Sequence, residues 1–201
     1  MSSATRNWTT FFIIALLSAG SAAAWLSIVS PVDDNILVTL RQSAQLAYVI
    51  LLVVLLARPL QSLLRKPWTA KLLRNRRLVG VAFAGAMTAH LALIIFRYRT
   101  VAELSFDLTG AWLGASAYAL IYLLFLTSFN GPAKVIGPKA WKVLHRLGLL
   151  IFVVIFAAPQ SLDDLSDINY LKFGIPMLVV LLIRLAAWRQ SSLRDKQRSA
   201  A

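Results

Sequence analysis

Cysteine is absent from the chain, and acids are scarce: 8 Asp and Glu stand against 21 Lys and Arg in 201 residues. Without cysteine there can be no disulfide, no thiolate metal centre, no covalent C-x-x-C-H haem attachment and no thiol redox chemistry. Charge of either sign makes up only 14% of the residues, whereas 59% are hydrophobic and the mean hydropathy is +0.70. Soluble domains carry about 25% charge, so a soluble globular fold is excluded. Disorder is excluded too, because it needs low hydrophobicity. Fixed-period repeats, a Rossmann glycine fingerprint and a P-loop are also missing. At ~20 residues per span, these residues suffice for about six membrane helices. They leave no room for a separate nucleotide-binding or catalytic domain.

What is present is a series of apolar stretches. Charged or turn-forming borders place spans at about 11–30, 41–57, 78–96, 110–129, 142–159 and 172–188, followed by a basic tail over 189–201. The breakers between them are Pro31, Pro59, Pro67, Asn130-Gly131-Pro132 and Gly137-Pro138. Pro176 falls near the start of the sixth span, where a helix tolerates proline. The expected fold is therefore all-α, a polytopic six-helix membrane bundle. In the first span, Ala22-Ala23-Ala24 imitates a signal-peptide cleavage site. The apolar run continues through Trp25–Val29, which is long for a signal, so an uncleaved helix is expected.

Charge sets the orientation. With the amino terminus and every second border on one side, that side holds 17 of the Lys and Arg residues and a single acid, Asp195. The other side holds Arg41, Arg97, Arg99 and Lys172 with Asp33, Asp34, Glu103, Asp107, Asp163, Asp164 and Asp167. The positive-inside rule then puts both termini in the cytoplasm; the expected location is a bacterial-type inner (plasma) membrane. A net charge of +13 would suggest nucleic acid for a soluble protein. Here it orients loops and contacts anionic lipid, so no nucleic-acid partner is expected. The stretch Arg58–Arg77 interleaves seven basic residues with Leu60, Leu63, Leu64, Trp68, Leu72 and Leu73. That pattern suits an amphipathic interfacial segment.

No span carries an internal Asp or Glu. Ion-coupled carriers usually need such groups as relays, so a transporter is disfavoured, and there is no arginine ladder for voltage sensing. The two histidines are therefore the residues to weigh. His90 lies in the third span within Gly85-Ala-Met-Thr-Ala-His90, and His145 near the start of the fifth within Trp141-Lys-Val-Leu-His145-Arg-Leu-Gly148. Neutral imidazole ligates haem iron, and helix bundles build cofactor sites from facing helices. Gly80, Ala84, Gly85, Ala86, Thr88 and Ala89 would admit a flat macrocycle beside His90. They would equally let helices pack closely. His145 sits beside Lys142 and Arg146, where an interfacial polar residue costs little.

The residues Arg58-Pro59-Leu60, Arg76-Arg77-Leu78-Val79-Gly80, His90-Leu91, Phe125-Leu-Thr-Ser128 and Trp141-Lys-Val-Leu-His145-Arg-Leu-Gly148 together resemble the ferric reductase-like transmembrane domain family. They have the look of its branch of haem-binding membrane subunits that serve periplasmic methionine sulfoxide reductases. The likeness covers about residues 40–187. It implies a six-helix bundle binding b-type haem through histidines of the third and fifth helices, which pass electrons outward. His90 and His145 would then be the iron ligands, and Arg146 a partner for a haem propionate. That branch carries another fifth-helix histidine thirteen residues on; here the position is Ala158, followed by Pro159.

Depth bears on the ligand set. His90 lies ~20 Å along its helix from Arg77, but His145 only ~5 Å from Lys142. Three arrangements stay open: one bis-histidine haem on offset helices, one histidine with another ligand such as Met87, or a bundle without haem. The implied function is a b-haem electron-transfer subunit holding at most one haem, with no self-contained catalytic site. Its donor would be a cytoplasmic flavin reductase, a bound flavin or membrane quinol, and its acceptor an outer-face reductase. The alternative is a haem-free membrane scaffold or assembly protein of the same fold.

Overall fold

The computed structural model describes residue 5 and residues 8–17, 32–100, 108–157 and 168–199. Over these the regular secondary structure is all helix, interrupted by turns at residues 65–66 and 127–129. The elements are α1 (Trp8–Leu17), α2 (Val32–Leu64), α3 (Pro67–Thr100), α4 (Leu108–Leu126), α5 (Asn130–Ala157) and α6 (Ile168–Ser199). The triple alanine of the first span, Ala158 and the acidic stretch over 163–167 lie outside the described residues.

Three helical stretches are long and apolar enough to cross a membrane: Ile36–Leu64, Pro67–Thr100 and Gly174–Leu193. A fourth crossing is reached if α4 and α5, bent by 103° across their break, are counted together. A second break lies inside α5, at Gly137. Its backbone (φ 77, ψ 161) is not helical and divides α5 into a short piece ending at Ile136 and a straight one starting at Pro138. A φ of this sign is cheap for glycine alone, and proline is preorganised for the first helical position after it. The straight piece, 138–157, is roughly 30 Å long, enough by itself for a hydrocarbon core.

Several helices outrun their expected borders. Pro59 does not end α2, which continues to Leu64. The ring removes one backbone bond but does not stop a helix supported along its length. The stop comes at Arg65, whose φ of 51 is left-handed. Its N–H donates to Gln61 O at 3.3 Å, closing the last turn. The expected interfacial segment between Arg58 and Arg77 is thus the meeting ends of two long helices. Only Arg65 and Lys66 separate them. The Thr69 hydroxyl lies against Lys66 O (2.7 Å) and the Gln61 side-chain oxygen, pinning the turn. Likewise α6 starts before the expected border, so Pro176 lies inside a helix rather than at its start.

The chain divides into two compact units. The first comprises residues 1–50 and 78–148. Ile36, Ala47 and Tyr48 of α2, Val81, Ala84, Ala86 and Ala89 of α3, and Ile121 and Phe125 of α4 are buried there. Gly85 is where α1 lies on α3: a Cβ there would sit 2.7 Å from Phe11 O and 3.3 Å from Ala15 N. Rings secure α1 to the end of α4, with Phe11 and Phe125 centroids 4.6 Å apart and Trp8 at 5.2 Å from both Phe125 and Phe129. The second unit comprises residues 51–77 and 149–201 and buries Leu51, Leu55, Ala57, Phe152, Met177 and Val180. Large apolar side chains elsewhere point outward, among them Trp112 and Leu113 on α4 and Leu178 and Leu182 on α6. A helix apolar on all sides belongs in lipid.

Candidate functional site

Both histidines fall in the first unit, on different helices and with different partners. His90, half-buried on α3, has its Nδ1 2.8 Å from Ser43 Oγ of α2. Ser43 is buried, and its hydroxyl also reaches Leu40 O at 2.9 Å. His145, half-buried on α5, has its Nε2 3.0 Å from Thr127 Oγ1 at the end of α4. Thr127 in turn reaches Leu123 O at 2.7 Å. The Trp141 ring lies over the imidazole, centroid to centroid 4.3 Å, and its Nε1 donates to Thr127 O at 2.8 Å. His145 is thus held in a polar corner where α4 turns into α5.

The two histidines can be levelled against α4. Thr88 Oγ1 meets Tyr122 Oη at 3.2 Å, and His145 meets Thr127. Gly85 lies against Phe11, whose ring meets Phe125, and three residues further along α3 Thr88 meets Tyr122, three residues back along α4, so α3 and α4 run antiparallel. His90 then stands about 10 Å along the helix axis from His145. The helix after Gly137 begins at Pro138, four residues before the expected border at 142, which narrows the offset that the sequence implied without abolishing it. On the α3 wheel Thr88 and His90 are about 200° apart. One faces α4 and the other reaches α2.

The small residues beside His90 are largely spoken for. Ala84, Ala86 and Ala89 are buried, and Gly85 accommodates the backbone of α1. Helix packing, rather than clearance for a flat ligand, explains Gly85. Gly80 and Gly114 face open space within 4 Å. Arg146 is exposed on α5. Among the described residues no three His, Cys, Asp or Glu side chains gather as a metal cluster. The Tyr118 hydroxyl of α4 is buried without a hydrogen-bond partner. Neither Ser43 nor Thr127 was legible as a histidine partner in the sequence, since they lie 47 and 18 residues away.

The second unit contributes a different cluster. Arg58 of α2, Arg76 of α3 and Arg184 of α6 sit near enough for their charges to repel one another.

Helices long and apolar enough to cross a membrane, with large apolar side chains exposed along them, make this a membrane-spanning helical protein. It belongs to the Ferric reductase like transmembrane component family, which it matches over residues 43–157. It is also similar to the protein-methionine-sulfoxide reductase heme-binding subunit MsrQ of Herminiimonas arsenicoxydans. Identity is 29% over 194 residues, covering 90% of this chain and 85% of the relative. No solved structure matches it.

Proposed function

We propose that this protein is a b-haem-binding electron-transfer subunit of the inner membrane. It would relay electrons from a cytoplasmic flavin reductase or quinol donor to an outer-face reductase. The observation that carries the reading is His90: an imidazole deep in an apolar helix, bonded through Nδ1 and without a hydrogen-bond partner at Nε2 among the described residues. The donor set fits a non-covalent haem, because imidazole nitrogen is available and thiol for covalent attachment is not. Such a group supplies a one-electron carrier in the apolar interior.

His90 is the anchoring ligand in this reading. His145 is the second candidate, and its Nε2 must exchange Thr127 for iron before it can serve. Arg146, next to His145 in the sequence and exposed on α5, is the propionate partner in this reading. A flavin phosphate would find its charge partner among the basic residues of the cytoplasmic side, with both termini on that same side. The proximity of Arg58, Arg76 and Arg184 supports this topology, since the end of α2, the start of α3 and this part of α6 then share one membrane face.

A haem-free scaffold of the same fold is the second reading, favoured by Ala158 and by the ~10 Å offset of the two histidines. The absorption spectrum of purified protein separates them. A Soret band that shifts on dithionite reduction, lost in His90→Ala and better retained in His145→Ala, is the expected result. A wild-type protein without a Soret band after supplying haem leaves the scaffold reading. A full haem complement in His90→Ala removes His90 as ligand.

A further inference from the structure

We propose that Ser43 is a positioning residue that fixes the tautomer of His90, so that Nε2 is the atom offered to iron, while Thr127 imposes the opposite tautomer on His145. The inference rests on the haem reading above for its functional meaning but on proton accounting for its substance.

A serine hydroxyl has one proton and two acceptor lone pairs. Ser43 Oγ has two neighbours within hydrogen-bond range, Leu40 O at 2.9 Å and His90 Nδ1 at 2.8 Å. A carbonyl oxygen only accepts, so the contact with Leu40 takes the hydroxyl proton. Toward His90 the oxygen is then an acceptor, and Nδ1 must carry the imidazole hydrogen. A neutral ring protonated at Nδ1 leaves an unprotonated lone pair at Nε2. The reverse assignment puts the proton on Nε2, which has no acceptor among the described residues. The first assignment gives the single N–H an acceptor and presents the donor atom through which histidine commonly binds haem iron.

The same count at the other histidine comes out the other way. Thr127 Oγ1 is 2.7 Å from Leu123 O and 3.0 Å from His145 Nε2. Its proton goes to the carbonyl, so Nε2 of His145 donates and carries the hydrogen. One histidine is thus set up to ligate through Nε2, and the other has that nitrogen protonated and engaged. In metal sites, the partner of the non-ligating ring nitrogen holds the ring orientation and raises ligand basicity, and losing it typically costs about 10–100-fold in affinity. Ser43 stands in that place for His90.

The test uses full-length protein with Ser43→Ala and Ser43→Thr variants, the latter keeping the hydroxyl. In haem-free protein carrying ¹⁵N-labelled histidine, His90 Nε2 should resonate as an unprotonated nitrogen and His145 Nε2 as a protonated one. Ser43→Ala should change the His90 pattern and leave that of His145 alone. In haem titrations Ser43→Ala should bind about 10–100-fold more weakly than wild type. The haem that remains should have a higher midpoint potential, because a less basic imidazole favours the ferrous state. Ser43→Thr should restore both. A protonated Nε2 at His90 in wild type overturns the proposal, and so do affinity and potential unchanged in Ser43→Ala. A wild-type protein that takes up no haem refutes the functional reading, and the nitrogen resonances still decide the tautomers.

Discussion

Replacing Gly85 by alanine tests how tightly α1 is held on α3. The added Cβ would lie 2.7 Å from the Phe11 carbonyl oxygen, about 0.7 Å inside an ordinary contact, and 3.3 Å from Ala15 N. Both are backbone atoms, so no side-chain rotation relieves the clash. The α1 helix must move as a body, against the ring contacts that tie Trp8 and Phe11 to Phe125. Overpacking of this kind costs about 1–3 kcal/mol. Alanine meanwhile gains up to ~1 kcal/mol over glycine in a helix interior. Gly80→Ala removes that ambiguity, because it carries the same gain and its Cβ meets nothing within 4 Å. The difference between the two variants should therefore be about 1–3 kcal/mol, with Gly80→Ala at least as stable as wild type. Gly148→Ala should fall between them, since its close contact at 2.7 Å is the end of the flexible Leu124 side chain. Thermal unfolding in detergent, followed by circular dichroism, measures the order. If Gly85→Ala unfolds within about 0.5 kcal/mol of Gly80→Ala, α1 does not lie on α3 as described.

Reporter fusions after Arg77, Lys139 and Arg198 should read as cytoplasmic, and those after Asp34, Asp107 and Asp167 as external; a cytoplasmic signal at Asp107 would reverse the third and fourth crossings. Thr127→Val removes the hydroxyl that His145 Nε2 meets while keeping the carbonyl that Trp141 uses. It should cost about 1 kcal/mol in thermal unfolding, and no loss would mean that the contact does not hold the α4–α5 corner. Ala158→His should raise haem occupancy or convert a weakly ligated high-spin haem to low-spin, read from the absorption spectrum. An unchanged spectrum would show that the position does not reach the cofactor.

The helices were legible because lipid imposes one rule on every span, and the charge borders marked where each leaves the membrane. The ends were less so. Pro59 looked like a border because proline disrupts isolated helices, yet α2 runs on and stops at Arg65, whose left-handed φ no sequence rule anticipates for arginine. Gly137-Pro138 was legible as a break because glycine alone takes a positive φ cheaply and proline fixes the φ that follows it. His90 and His145 stood out as the only histidines in a thiol-free chain. Their partners did not, because Ser43 and Thr127 are ordinary helix residues whose role comes from tertiary contact. Gly85 illustrates the same limit: one small residue serves a macrocycle or a neighbouring helix equally well until the neighbour is seen.

The two-residue turn between α2 and α3 bears on how the chain is made. Helices of 33 and 34 residues joined by Arg65 and Lys66 leave a ribosome as one loop-back pair rather than as two independent insertions. Dragging the turn across would move seven arginines and lysines through hydrocarbon, at about 2.5–3.5 kcal/mol each on the insertion scale. The pair is therefore a topological lock. Once it has entered the bilayer, the crossings downstream inherit its direction.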